Sequence, residues 1–114
     1  MTTIEFNDPA QGVLISGHSG YAEAGRDIVC ASVSALAWAL IGALTKRDAL
    51  NYVKQDDGEI LICYRELPGV ETYLDMFQTG VELIEYRYPD NVRVQGRKSV
   101  FEDDNMNGTG GGGA

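Results

Sequence analysis

Residues 12–44 read GVLISGHSGYAEAGRDIVCASVSALAWALIGAL. Gly12 to Ser16 is a short β-prone run that stops at Gly17-His18, Ser19 to Arg26 has glycines and no period, and Ile28 to Leu44 contains no charge. The segment therefore reads as strand, loop, helix. Asp27 stands directly before the apolar run, where its carboxylate can accept a bond from an orphan amide of the first helical turn. Gly42 weakens the helix near its end, and Lys46 and Arg47 put positive charge beside the negative end of its dipole. A helix is expected over about 28–44. Because it is apolar on every side it needs cover on more than one, a sheet on one face and a second helix or a second subunit on the other. The run is short for a bilayer span, carries Ser32 and Ser34 and is bracketed by Asp27 and Lys46. A buried helix with no membrane partner is the preferred reading.

Working outward, Thr3 to Phe6 and Gly12 to Ser16 flank Asn7-Asp8-Pro9 and form a first antiparallel pair. Leu50 to Lys54 and Glu59 to Arg65 flank Gln55-Asp56-Asp57-Gly58, whose Asp-Gly pair is a strong hairpin signal. After Pro68-Gly69, the spacing of Val70, Leu74, Phe77, Val81 and Ile84 predicts an amphipathic helix ending near Tyr86. Asn91 to Gln95 supplies a last strand. The order ββαββαβ gives an α+β fold, a two-layer sandwich of a mostly antiparallel sheet with two helices on one side. A single domain over 1–101 is expected, followed by an acidic, glycine-rich and disordered tail over 102–114 that carries no chemistry.

Seventeen acidic against nine basic residues give a net charge of −8, which argues against nucleic acid as a partner, since phosphate binding needs clustered Lys and Arg. An acidic surface suits a basic protein or peptide instead. The N-terminus lacks the basic start and apolar run of a secretory signal, so a cytoplasmic location with reduced thiols is expected. Two cysteines and one histidine offer no metal-ligand spacing, and neither a metal nor a cofactor is expected.

Those residues include the chain's best candidates for chemistry. His18 ends a strand and Cys30 begins a helix, and a strand-loop-helix connection can fold the two together. A helix N-terminus and an adjacent imidazole both favour a thiolate, which can attack a carbonyl while the imidazolium protonates the leaving amine. Unpaired amides of the first helical turn would supply oxyanion donors. Asp27 is the nearest group to orient His18, unless the cap occupies it. On spacing alone, a free cysteine on an apolar helix is more often a small buried hydrophobe, and a hydroxyl such as that of Ser34 more often bonds a backbone carbonyl. A non-catalytic acidic dimer that binds an assembly partner is the competing function.

Gly17-His18-Ser19-Gly20-Tyr21-Ala22, followed by Gly25-Arg26-Asp27-Ile28-Val29-Cys30-Ala31-Ser32-Val33-Ser34-Ala35-Leu36, resembles the signature of the bacterial ribosomal-processing cysteine proteases. The resemblance continues as pattern over roughly 3–94. It implies a homodimeric, cytoplasmic peptide hydrolase that removes a short N-terminal extension from a basic precursor, ribosomal protein L twenty-seven. It implies His18 and Cys30 as the catalytic pair, with Asp27 and Ser34 in support. Gly17, Ser19, Gly20, Tyr21 and Gly25 would belong to a loop that orders over a bound peptide. Ser19 departs from the alanine often found there. Relatives in phages make a phage structural precursor an alternative substrate.

Overall fold

Alternation in the first two strands sets the sheet's inner face. The computed structural model describes residues 1–23 and 25–101, and the expected tail over 102–114 lies outside the described residues. Strand β1 (Thr2–Asn7) buries Ile4 and Phe6, and β2 (Gly12–Ser16) buries Val13 and Ile15. Their antiparallel register sets Ile4 beside Ile15 and Phe6 beside Val13, so one face is continuously apolar. Helix α1 spans Ile28–Lys46, β3 Leu50–Asp56, β4 Glu59–Tyr64, α2 Val70–Arg87 and β5 Val92–Gln95.

The sheet order is β3-β4-β2-β1-β5. Every ladder is antiparallel except that of β1 with β5, which the chain reaches by crossing over the sheet through α2. The expected ββαββαβ sandwich is the observed one. The ends differ slightly: α1 continues two residues past Leu44 to Lys46, and β3 continues to Asp56, where the Asp57-Gly58 turn stops it.

Both helices lie on the inner face. Val29, Val33, Ala37, Leu40, Ile41 and Leu44 of α1 enter the core, as do Val70, Leu74, Phe77 and Val81 of α2. Each of these Val, Leu, Ile and Phe side chains contributes roughly 1.5–3 kcal/mol by leaving water. Gly80 permits close approach of the helices, since a Cβ there would stand 2.8 Å from Leu36 Cδ1. The sheet and α2 therefore supply two sides of cover for α1. On a third side Ala31, Ala35, Trp38 and Ala39 remain exposed, with Trp38 at 45%.

Two buried polar side chains of α2, Gln78 and Glu82, hold the segment after β5, Gln78 Nε2 donating to Lys98 O at 2.8 Å. Glu82 accepts bonds from Ser99 Oγ (2.8 Å), the Val100 amide (3.0 Å) and Gln78 Nε2 (2.9 Å). Arg97, only 10% exposed, pairs with Asp8 at 2.9 Å and with Glu71, and sits 5.4 Å from the Phe6 ring centre. These bonds fasten irregular backbone to the helix layer without any ladder.

Candidate active site

Gly17 turns the chain out of β2. Its φ is +86°, and a Cβ would lie 2.3 Å from the Met1 carbonyl oxygen, so only glycine fits; its amide donates to Gly58 O at 2.8 Å. His18 follows at once, exposed beyond the strand end. Cys30, a free thiol, is half-buried in the first turn of α1. His18, Cys30 and Ser34 line both a cavity of about 660 Å³ and an adjoining one of about 160 Å³. The two groups that the sequence nominates thus meet at one hollow, though among the described residues no hydrogen bond joins them.

Asp27 has a different duty from orienting His18. Its carboxylate accepts the Cys30 amide at 2.9 Å, the Ala22 amide at 3.4 Å and the Ser19 hydroxyl. Partial removal from water pushes the carboxyl's pKa up, but the bonds from Ser19 and from the amides of Cys30, Ala22 and Val29 outweigh that and hold it below its ordinary value. Asp27 is therefore an ionised N-cap that also gathers the loop. It consumes the Cys30 amide, and its carbonyl accepts the Ala31 amide at 3.0 Å. The expectation of free first-turn amides around Cys30 is corrected accordingly, because a capping carboxylate takes the donors that an oxyanion would need.

Ser34 does not bond back along the helix. Ser32 does, donating to Ile28 O at 2.7 Å, while Ser34 lies one turn beyond Cys30 on the cavity wall. Gly20 and Gly25, both at positive φ, line the larger cavity. Ser19 and Tyr21 do not. Ser19 is 2% exposed, with its hydroxyl on Asp27 and its carbonyl accepting from Asn91 Nδ2 at 2.9 Å. Tyr21 packs edge-on against Tyr88, with ring centres 5.3 Å apart. The departure at Ser19 is therefore not neutral in this chain, because the hydroxyl closes the bond network at the loop's base.

Sequence reasoning missed the far wall. Gln55, Asp56, Gly58 and Glu59, from the second hairpin, line the smaller cavity with His18 and Cys30. Their turn was legible as Asp-Gly, but its place beside the site depends on the β2–β4 ladder, which sets Ser16 against Glu59. Asn91 was likewise read only as the start of a strand. Among the described residues no cluster of His, Cys, Asp and Glu could hold a metal.

A hydroxyl, an imidazole and a thiol around one hollow, with the thiol on a helix N-terminus, can support nucleophilic attack on an acyl group. The comparisons point the same way. A family model described as "Cysteine protease Prp" matches residues 1–93. Two Staphylococcus aureus proteins, each called ribosomal processing cysteine protease Prp, are 29% identical over 103 residues, covering 81% of this chain and 92% of theirs. The crystal structure of S. aureus Prp with a covalently linked product peptide superposes with a TM-score of 0.73 at 25% identity, covering 85% of this chain and all of that one. The same relative with a substrate peptide gives 0.63 at 25% identity, over 84% of this chain and 97% of that one. A Streptococcus mutans structure gives 0.62 at 25% identity, over 84% and 93%. With residues 1–93 matched by the family model and the fold matched by solved relatives, the chain belongs to the cysteine protease Prp family.

Proposed function

We propose that this cysteine protease uses Cys30 as nucleophile and His18 as general base and then acid to remove a short N-terminal extension from a ribosomal large-subunit precursor, ribosomal protein L twenty-seven. The observation that carries the reading is the convergence of His18 and Cys30, from a strand end and a helix start, on one cavity. His18 takes the thiol proton as sulfur attacks the scissile carbonyl; the imidazolium then gives that proton to the departing amine, leaving an acyl-enzyme that water hydrolyses. Ser34, whose hydroxyl is not committed to the helix backbone, is the donor we assign to the oxyanion, since Asp27 occupies the Cys30 amide. The covalently linked product in the S. aureus relative agrees with thiol chemistry of this kind. The charge of −8 suits a basic precursor by speeding encounter.

The exposed stripe Ala31, Ala35, Trp38 and Ala39 runs along the same helix as the nucleophile. We assign it to a second copy of the chain, giving a homodimer working in the cytoplasm, where both cysteines stay free thiols. Light scattering should return twice the chain mass, and a monomer at working concentration would remove that assignment.

The deciding test incubates the protein with a peptide spanning the precursor's N-terminus and reads product masses. Cleavage by the wild type and its loss in Cys30→Ser and His18→Ala support the reading. A Cys30→Ser protein that still cuts, or a wild type that binds the peptide without cutting it, overturns it. Cleavage of a phage structural precursor in preference to the ribosomal one would move the substrate and leave the mechanism in place.

A further inference from the structure

His18 needs something to hold its ring, and the expected holder, Asp27, is engaged elsewhere. The neighbour the structure places against the imidazole is the backbone of Gly58, forty residues away in the turn between β3 and β4. An L-amino-acid Cβ built at Gly58 would stand 3.0 Å from His18 Nε2, 3.5 Å from Cε1 and 3.6 Å from Cδ2. The far edge of the ring thus lies over the Gly58 α-carbon, on the side where any other residue would carry its side chain. The contact follows from the ladder: β2 and β4 pair through Ser16 and Glu59, and the Gly17 amide adds a bond to Gly58 O at 2.8 Å. That bond carries the pairing one step past the strand and brings the turn under the residue that follows, His18.

We propose that Gly58 is a positioning residue for the catalytic histidine: its missing side chain leaves the shelf on which the His18 ring rests beside the cavity it shares with Cys30. The turn itself explains a glycine at 58, where φ is +72°, but not the ring packed on its bare face. His18 is exposed, so a methyl group at 58 would displace the ring toward solvent rather than break the fold. The cost then falls on the geometry of proton transfer, where misplacement on the order of 1 Å loses about a hundredfold in rate. The proposal rests on the general-base role given to His18 above.

The test is a double-mutant cycle with Cys30 alkylation by iodoacetamide and peptide cleavage as readouts, and thermal unfolding recorded alongside. Gly58→Ala adds a Cβ and also strains the backbone; Gly58→Asn adds the same Cβ to a residue that tolerates left-handed φ. Both variants should lose about tenfold or more in kcat with KM little changed, and their alkylation pH profiles should move toward that of His18→Ala. In the His18→Ala background, Gly58→Ala should have no further effect on alkylation. Recovery by Gly58→Asn of what Gly58→Ala loses would assign the effect to backbone strain and overturn the proposal. So would an equal effect of Gly58→Ala with and without the imidazole, or wild-type kinetics in both folded variants. If His18→Ala itself changes neither readout, the catalytic reading fails and not merely this one.

Discussion

The chain builds hairpin and helix twice, and the two copies differ where strand hands over to helix. Between β2 and α1 lie residues 17–27, glycine-bearing and gathered by an aspartate cap; between β4 and α2 lie only residues 65–69, closed by Gly69 at φ +95° with no side-chain cap. The long connection leaves a hollow at the helix start and sets His18 and Cys30 around it. The short one is closed at Gly69, where the guanidinium of Arg47 lies over the bare face of the glycine. The candidate site therefore lies at the longer of the two connections. The second half serves as frame: its turn supplies the cavity's far wall, and Asn91, which follows α2, reaches back to hold Ser19.

If this division of labour is right, the largest effects come from the first half's reacting pair. Cys30→Ser should lower cleavage by about ten-thousandfold or more, and His18→Ala by about a thousandfold, in single-turnover peptide assays. Cys63→Ser, in β4, should leave cleavage unchanged; equal loss from both cysteine variants would erase the contrast.

In the second half, Glu82→Ala should act on stability instead. Stripping three bonds from a buried node should cost about 2 kcal/mol in urea unfolding while Cys30 alkylation in the folded protein keeps its rate. A large change in alkylation would mean that the clasp of 97–100 also tunes the site.

Asn91→Ala joins the halves. It removes one bond to the Ser19 carbonyl, worth about 1 kcal/mol, and should slow cleavage several-fold by loosening the loop's base while lowering the melting temperature by about 4–8 °C.

The smallest effect is a change of slope. The Asp27 carboxyl is held below its ordinary value in the folded chain, so its contribution is present above the unfolded carboxylate range and is lost as pH falls through the folded value. Asp27→Asn can still cap but cannot titrate. The gap between wild type and Asp27→Asn in urea midpoint should shrink between pH 7 and pH 3, and a gap that widens on acidification would mean that the folded chain holds the Asp27 carboxyl above its ordinary value instead.

Much of the first half was readable residue by residue. The period of two in β1 and β2, the charge-free run after Asp27 and the Asp-Gly turn each follow from local sterics and burial, and the observed elements start and stop within a few residues of the expected ones. His18, Cys30, Asp27 and Ser34 stand out in one continuous stretch, so their nomination needed no tertiary information. Their division of duties did. Whether Asp27 faces the imidazole or the helix amides turns on the path of the loop, and the network settles it in favour of Ser19 and the Cys30 amide.

What the amino-acid order determined by itself is therefore the set of elements, because hydrophobic period, capping and turn chemistry act over a few neighbouring positions, and, through its resemblance, the candidate site residues. What only the tertiary structure decided is the company those residues keep. Gly58 beneath the imidazole, Asn91 on the Ser19 carbonyl and Leu36 against Gly80 are contacts between segments far apart in the chain. They are set by sheet register and helix packing, which minimise exposed apolar surface over the whole domain and leave no mark at either position alone.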